Sequence, residues 1–427
     1  MSIGFSFTAR ALRPEHFLAE VRALAEAWQE AVQCSDDSAW VTLAPMGEVF
    51  ITLESEGAVS GQCQSTPAGP GLHKAALDFV RALAEGSLSE LSIEDETDYA
   101  VHGDFEWMKQ EHFYPWLRTL VELGSQYESS NSNICFCWDL DQYRPEDIPC
   151  TVVTPLGRFD LAKMAALVKQ EGIEALAQRF FVWEHETKDA LYHRNKALNG
   201  LWEHCYYRPS ARSPEDAYIN DLILDELELS MQMDQTLAQP LEEYQTLCQL
   251  AGRQAQIPPG VVQMAADFPI GYRQGDVWHS FGNLDLCLPG SFQYETFERT
   301  GGGTDHLWSD DTTGCWFRVS GFTLQEAAED FLPNLFEDCQ DIRTVEIGQG
   351  GRLRMGYVGA VEEDGQLYYQ IVAQALSGQQ VTLITVSFDE AQARDELMAQ
   401  LGRMRAVGAR TIEEKTYDAS EGEDVHG

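Results

Sequence analysis

Basic residues are scarce in this sequence. Its 427 residues hold 29 Lys+Arg against 69 Asp+Glu, a formal charge of −40. Nucleic-acid backbones and anionic membranes both demand a cationic surface, so neither is expected as a partner. The deficit is spread along the chain, with 27 acids to 11 bases from residue 270 onward and 42 to 18 before it. The opening stretch Met1–Phe7 has no cationic region and no apolar region ahead of a small-residue cleavage site. A secretory signal is therefore not expected, and a cytoplasmic location is. Long hydrophobic runs are missing too. The longest uncharged stretch, between Asp364 and Asp389, contains Gln366, Gln370, Gln374 and a Ser377-Gly378 turn. That pattern predicts two strands around a turn, not a membrane span of about 20 apolar residues. Absent as well are Cys-x-x-Cys, Gly-x-Ser-x-Gly, His-Glu-x-x-His and Walker motifs. The ten cysteines are scattered among apolar residues, which predicts reduced, partly buried thiols.

Hydrophobic residues are plentiful at 44%, enough for a sizeable core. At about 150 residues per domain the length suggests two or three units. Residues 1–157 read as an α+β domain. A strand at Ile3–Phe7 precedes an amphipathic helix from Pro14 to about Val32. Strands follow at Trp40–Leu43, Val49–Leu53 and Leu88–Ile93, with helices at Pro70–Ala84 and Phe105–Leu123; Pro115 must start a new segment or kink the last of these. Asn133–Trp138 and Thr151–Val153 read as short buried strands. Residues 158–257 read as mainly helical: a helix capped by Asp160 and ended by Gly172, and a continuous one over Ile173–His204. Ser213-Pro214 then starts a helix running to about Met233, and Pro240–Ala251 gives another. After Pro258-Pro259-Gly260 the pattern becomes strand-rich over residues 270–410. Phe281–Leu288 and Cys315–Val319 read as strands and Thr323–Phe336 as a helix. A meander of Arg352–Val361, Gln366–Ala375 and Val381–Phe388 is closed by a helix over Glu390–Met404. Residues 411–427 read as an acidic, frayed tail. The expected class is α+β, with an N-terminal α+β domain, a central helical segment and a C-terminal antiparallel-sheet α/β sandwich.

The C-terminal order rests on Leu284-Asp285-Leu286-Cys287-Leu288-Pro289-Gly290-Ser291-Phe292, Gly365-Gln366-Leu367-Tyr368-Tyr369, Val381–Phe388 and the closing helix. Over residues 278–407 it resembles the sandwich shared by the PsbP subunit of photosystem II, a Ran-binding nuclear-transport factor and bacterial DcrB-like proteins. The resemblance implies a bacterial, mostly non-enzymatic binding module and brings no catalytic set.

Several constellations invite chemistry. Asp139-Leu140-Asp141 follows the strand ending at Trp138, and such a pair at a strand end can hold a divalent cation against substrate phosphates. No phosphate-binding glycines flank it, and Arg144 is the lone nearby cation. His185, His193 and His204 suggest zinc, but on one helix His185 and His193 lie roughly 12 Å apart at about 1.5 Å per residue. Only Asp189 could share an ion with either, so helical pairing is the better expectation. Cys135 and Cys137 share a strand face, with Cys150 a candidate neighbour, and read as small buried hydrophobes. Gly301-Gly302-Gly303 and Gly348-Gln349-Gly350-Gly351 read as turns. Phe105, Trp107, Phe113, Tyr114 and Trp116 read as core, or as a docking face where exposed. The expected function is a non-catalytic, acidic protein- or ligand-binding module, immunity-like or accessory, needing no cofactor and taking a basic protein as partner. The alternative is a divalent-metal-dependent transferase or hydrolase using Asp139 and Asp141.

Overall fold

The computed structural model describes residues 2–126, 134–135, 143–145, 151–205, 209–211, 213–265, 276–298, 304–310, 313–324, 333–363 and 365–407. The chain divides into two units, one built from Met1–Trp138 with Asp147–Gln274, the other from Asp139–Glu146 with Gly275–Gly427. Helices and antiparallel sheets occur together, so the class is α+β.

The first unit begins with β1 (Gly4–Ala11), α1 (Phe17–Ala27), β2 (Ala31–Cys34), β3 (Ser38–Ala44), β4 (Gly47–Leu53), β5 (Ala58–Gln64), α2 (Pro70–Gly86) and β6 (Leu88–Asp95). The six strands form one antiparallel sheet in the order β2-β3-β4-β5-β1-β6. Period-two alternation puts Phe5, Phe7, Val41, Leu43, Val49 and Ile51 on the buried face, in one cluster with Phe17 and Val21 of α1 and Leu72, Ala76 and Phe79 of α2. Helix α1 stops earlier than its periodicity predicts. Gln29 takes a positive φ of 62°, and Val32 then pairs with Val41 as part of the sheet edge.

Next come α3 (Tyr99–His102), α4 (Phe105–Met108) and a π-helical turn, Lys109–Phe113, leading into α5 (Tyr114–Gln126). Asp104 caps α4 by accepting from Trp107 N. Pro115 lies just inside α5, directly after the π-helical turn, where the backbone ladder is already widened, Tyr114 N donating to Lys109 O. The chain continues through β7 (Ile134–Cys135), β8 (Tyr143–Pro145), β9 (Thr151–Thr154) and β10 (Gly157–Asp160). Strands β10-β9-β7 form a small sheet in which β7 runs parallel to β9, while β8 belongs to the second unit. Then follow α6 (Leu161–Glu171), α7 (Ile173–Phe180), α8 (Ala190–Glu203), α9 (Pro214–Met233) and α10 (Leu241–Ala251).

The continuous helix expected over Ile173–His204 is two helices with an extended segment between them. Tertiary hydrogen bonding overrides the helical pattern there. Trp183 N donates to Ala68 O at 2.7 Å, and Gly71 N donates to Trp183 O at 2.9 Å. Asn195 Nδ2 holds the Phe181 carbonyl at 2.8 Å. The indole of Trp183 lies where any side chain at Gly71 would stand, 2.1 Å from an added Cβ. One hydrophobic cluster runs through this unit from Ile3 to Cys248.

The second unit adds β11 (Asp276–Phe281), β12 (Leu284–Pro289), β13 (Gln293–Glu298), β14 (Thr304–Asp310), β15 (Cys315–Thr323), β16 (Gln340–Gly348), β17 (Gly351–Glu363), β18 (Gln366–Ser377), β19 (Gln380–Phe388), α11 (Arg394–Leu401) and β20 (Arg405–Ala406). Its larger sheet runs β13-β14-β15-β19-β18-β17-β16, and its smaller one β20-β12-β11-β8. The predicted strand Phe281–Leu288 is in fact a hairpin. Phe281 ends β11, Gly282 turns at a φ of 57°, and β12 starts at Leu284. The predicted meander is present and gains β16, joined to β17 through Gln349 and Gly350. Of the helix expected over Thr323–Phe336, Thr323 ends β15 and Pro333–Phe336 is a 3-10 turn; residues 325–332, like the acidic tail, lie outside the described residues. Trp308, Phe317, Val386, Ile371 and Leu353 line one face of the larger sheet and share a core with Leu284, Leu286 and Leu288 of β12 and Leu401 of α11. No helix among the described residues is long and apolar enough to cross a membrane.

Candidate functional site

Two sets of reactive side chains converge in the first unit, and neither was visible as a motif. The first joins Ser65, just past β5, to His73 in the first turns of α2 and Asp95 at the end of β6. Ser65 Oγ lies 2.8 Å from His73 Nδ1, and His73 Nε2 lies 3.0 Å from Asp95 Oδ1. These are the components of a hydrolytic triad. Their setting is closed. Ser65 and His73 are 0% exposed, Ser65 Oγ is also 3.0 Å from the Ile3 carbonyl it can donate to, and the rings of Phe5 and Phe113 pack edge-on against the imidazole. Asp95 further accepts from Thr97 N, Thr97 Oγ1 and Ala100 N at 2.7–2.9 Å. Burial by itself would raise the Asp95 carboxyl, but His73 and these donors hold it well below the usual carboxylate range. The set therefore ties together the start of β1, the end of β5, the start of α2 and the end of β6. Ser65 itself has no solvent-facing surface.

The second set centres on Glu184 in the extended segment between α7 and α8. The π-helical turn supplies Lys109, whose Nζ lies 2.9 Å from Glu184 Oε1. Tyr114 donates its hydroxyl to the same oxygen at 2.6 Å, and His185 Nε2 stands 2.8 Å from Oε2. His185 Nδ1 in turn meets Asp189 Oδ2 at 2.5 Å, while Asp189 caps α8 by accepting from Tyr192 N. Burial pushes the Glu184 carboxyl up, yet His185, Tyr114 and Lys109 bring it below its ordinary value. Asp189 and Glu184 together raise His185 to about 10, and burial beside Glu184 raises the Tyr114 phenol strongly. The Glu184 carboxylate is sealed, and within this set only His185 and Asp189 open substantially to solvent.

The predicted site residues divide accordingly. His185 is not on a helix with His193. Instead His193 Nδ1 pairs with Glu226 Oε2 at 2.6 Å, beside Lys196, and His204 is exposed at the end of α8. Each of His185 and His193 has its own carboxylates, and among the described residues no group of three or more His, Cys, Asp or Glu side chains is arranged to hold a metal ion. Asp139 and Asp141 lie outside the described residues, as do Cys137, Cys150 and the side chain of Cys135. Phe105, Phe113, Tyr114 and Trp116 are core, whereas Trp107 is partly exposed between His102 and His112.

Open space lies elsewhere. On the second unit, the sheet face opposite the core carries a hollow of about 810 Å³ lined by Trp316, Arg318, Tyr368, Gln370, Thr385 and Ser387 among others. Trp316, Ser387 and Gln370 stand in one cross-strand row, with Arg318 and Thr385 in the next. Arg318 is paired with Asp305, which Ser320 also bonds at 2.9 Å. Aromatic faces, amides, hydroxyls and the Asp389 carboxylate line it, a mixture that suits binding.

No known protein family matches the chain, and neither does any curated protein. Similar solved structures include a protein from Bacteroides thetaiotaomicron VPI-5482, with 16% identity, 30% of this chain and 46% of that chain covered, and a TM-score of 0.24. The chain thus spans about half the length of that protein. They also include the solution structure of cyanobacterial PsbP (CyanoP) from Synechocystis sp. PCC 6803, with 13% identity, 29% and 86% coverage, and a TM-score of 0.17. PsbP is among the proteins that the C-terminal order of elements resembles.

Proposed function

We propose that this is a non-catalytic, cytoplasmic binding protein, accessory or immunity-like in role, whose partner is a basic protein. The observation that carries the reading is the closure of both reactive sets: Ser65 and His73 are fully buried and the Glu184 carboxylate nearly so. A nucleophile needs a reacting atom about 3 Å away, whereas Ser65 is 0% exposed and its Oγ is engaged by the Ile3 carbonyl and His73. The charge of −40 supplies the second half of the reading, because it favours encounter with cations and opposes anionic ligands. A fluorophosphonate probe tests the first half, since it labels activated serines. The folded protein is expected to remain unlabelled. Stoichiometric modification of Ser65, mapped by peptide mass spectrometry and lost in His73→Ala, would make it a hydrolase instead.

A further inference from the structure

Helix α9 is apolar on two sides. Ile223, Leu224, Leu227 and Met231 face the core of the first unit. On the outside, Tyr218, Leu222, Leu229 and Met233 are 64, 46, 40 and 50% exposed. At about 100° per residue these four fall within about 60° of one another, forming a stripe roughly 22 Å long. Single exposed apolar residues need no explanation, but an aligned row of four does. The helix also carries six acids, Glu215, Asp216, Asp221, Asp225, Glu226 and Glu228, and no base. Arg253 reaches Asp221 and Asp225, each at 2.8 Å, and Lys196 and His193 reach Glu226, so the flanks stay net acidic.

Two occupants fit the apolar spacing, and charge chooses between them. The stripe is symmetric about the point between Asp225 and Glu226. A second copy lying antiparallel would set Tyr218 against Met233 and Leu222 against Leu229. It would also gather the Asp225 and Glu226 carboxylates of both copies at the two-fold axis, in a complex of two chains each bearing −40. A helix with its own apolar stripe between lysines and arginines meets the same leucines and places cations opposite those acids. Helix-in-groove docking reads anchors one turn apart, and α9 offers two such i, i+4 pairs, Tyr218/Leu222 and Leu229/Met233, on either side of Asp225.

We propose that the outer face of α9 is the docking surface for a basic amphipathic helix of the partner. This rests on the basic-partner reading above and gives it a place. The test uses the full chain, a fluorescent Lys/Leu peptide with leucines at helical spacing, and a scrambled peptide of equal composition. The wild-type chain is expected to bind the patterned peptide at least roughly tenfold more tightly than the scrambled one, with affinity falling as salt rises. Leu222→Glu/Leu229→Glu, checked for folding by circular dichroism, is expected to lose at least roughly tenfold. The direction is diagnostic because added glutamates strengthen a purely electrostatic attraction. Val101→Glu, at an 80% exposed position on α3, serves as the charge control and is expected to keep wild-type affinity. A double variant that binds as well as wild type overturns the docking surface while leaving a basic partner possible at another face. A wild-type chain that binds neither peptide overturns both readings. A wild-type dimer that Leu222→Glu makes monomeric gives the stripe to a second copy and also overturns the proposal.

Discussion

Removing Glu184 should cost the first unit far more than removing the lysine that faces it. In Glu184→Ala, the buried Lys109 ammonium keeps, among the described residues, Glu106, 3.5 Å away and largely exposed, together with the rings of Phe105 and Tyr114 at 5.6 and 5.5 Å. The Tyr114 hydroxyl and His185 Nε2 lose their acceptor at the same time. Leaving a buried charge and its donors unpaired costs about 3–5 kcal/mol. In Lys109→Met the carboxylate retains Tyr114 and His185, so the loss should be about 1–3 kcal/mol. Replacing both residues by apolar ones, Lys109→Met/Glu184→Leu, should recover most of the deficit, because the desolvation penalty disappears with the charges. Urea unfolding followed by circular dichroism and tryptophan fluorescence measures the series, with the transitions of the two units fitted separately. The reasoning is refuted if Lys109→Met is the more damaging single change, or if the double variant loses the sum of the two.

Three further outcomes are expected. Burial pushes Glu203 up to about 7 from an ordinary 4.5, so the unfolded chain releases this proton first and stability falls as pH rises from 4.5 to 7. Glu203→Gln should therefore be stabilising at pH 8, on the order of 2–3 kcal/mol, and neutral near pH 4; equal effects at both would disprove the assignment. His185 is raised to about 10 from 6.5, so its contribution is complete below 6.5 and lost as pH climbs toward 10; a thermal-melt series should show this decline in wild type and a flatter profile in His185→Gln. If the chain is instead a metal-dependent transferase or hydrolase, calorimetric titration with Mg²⁺ or Mn²⁺ should show one site per chain that vanishes in Asp139→Ala, and a flat titration disposes of that alternative.

Where local signals and packing agree, the sequence was legible. Ser213 and Pro214 start α9 because a hydroxyl cap and a residue without an N–H suit the first turn, and Ser213 does accept from Asp216 N. Asp160 caps α6 in the same way. The meander followed from period-two alternation interrupted by glycine turns. Helical periodicity misled where a distant backbone competed. Nothing near Trp183 announces that its N–H belongs to the carbonyl of Ala68, so a segment with apolar residues at helical spacing reads as helix. The same difficulty hid both reactive sets. Ser65 follows β5, His73 is on α2 and Asp95 ends β6, and Lys109 and Glu184 are 75 residues apart in a chain with acids throughout. One signal for the second set was available: a lysine amid Phe105, Met108, Phe113 and Tyr114 requires a buried anion.

The strand Tyr143–Pro145 pairs with Val277–His279, although the chain on either side of residues 139–146 belongs to the first unit. During synthesis this strand leaves the ribosome well before its partner exists, so the small sheet of the second unit cannot be finished by vectorial folding alone. A fragment beginning at residue 275 would expose β11 as a bare sheet edge, inviting it to recruit a strand from a neighbouring molecule. Dissecting this protein into expressible pieces therefore calls for grafting the 139–146 excursion back on, or for keeping the polypeptide whole.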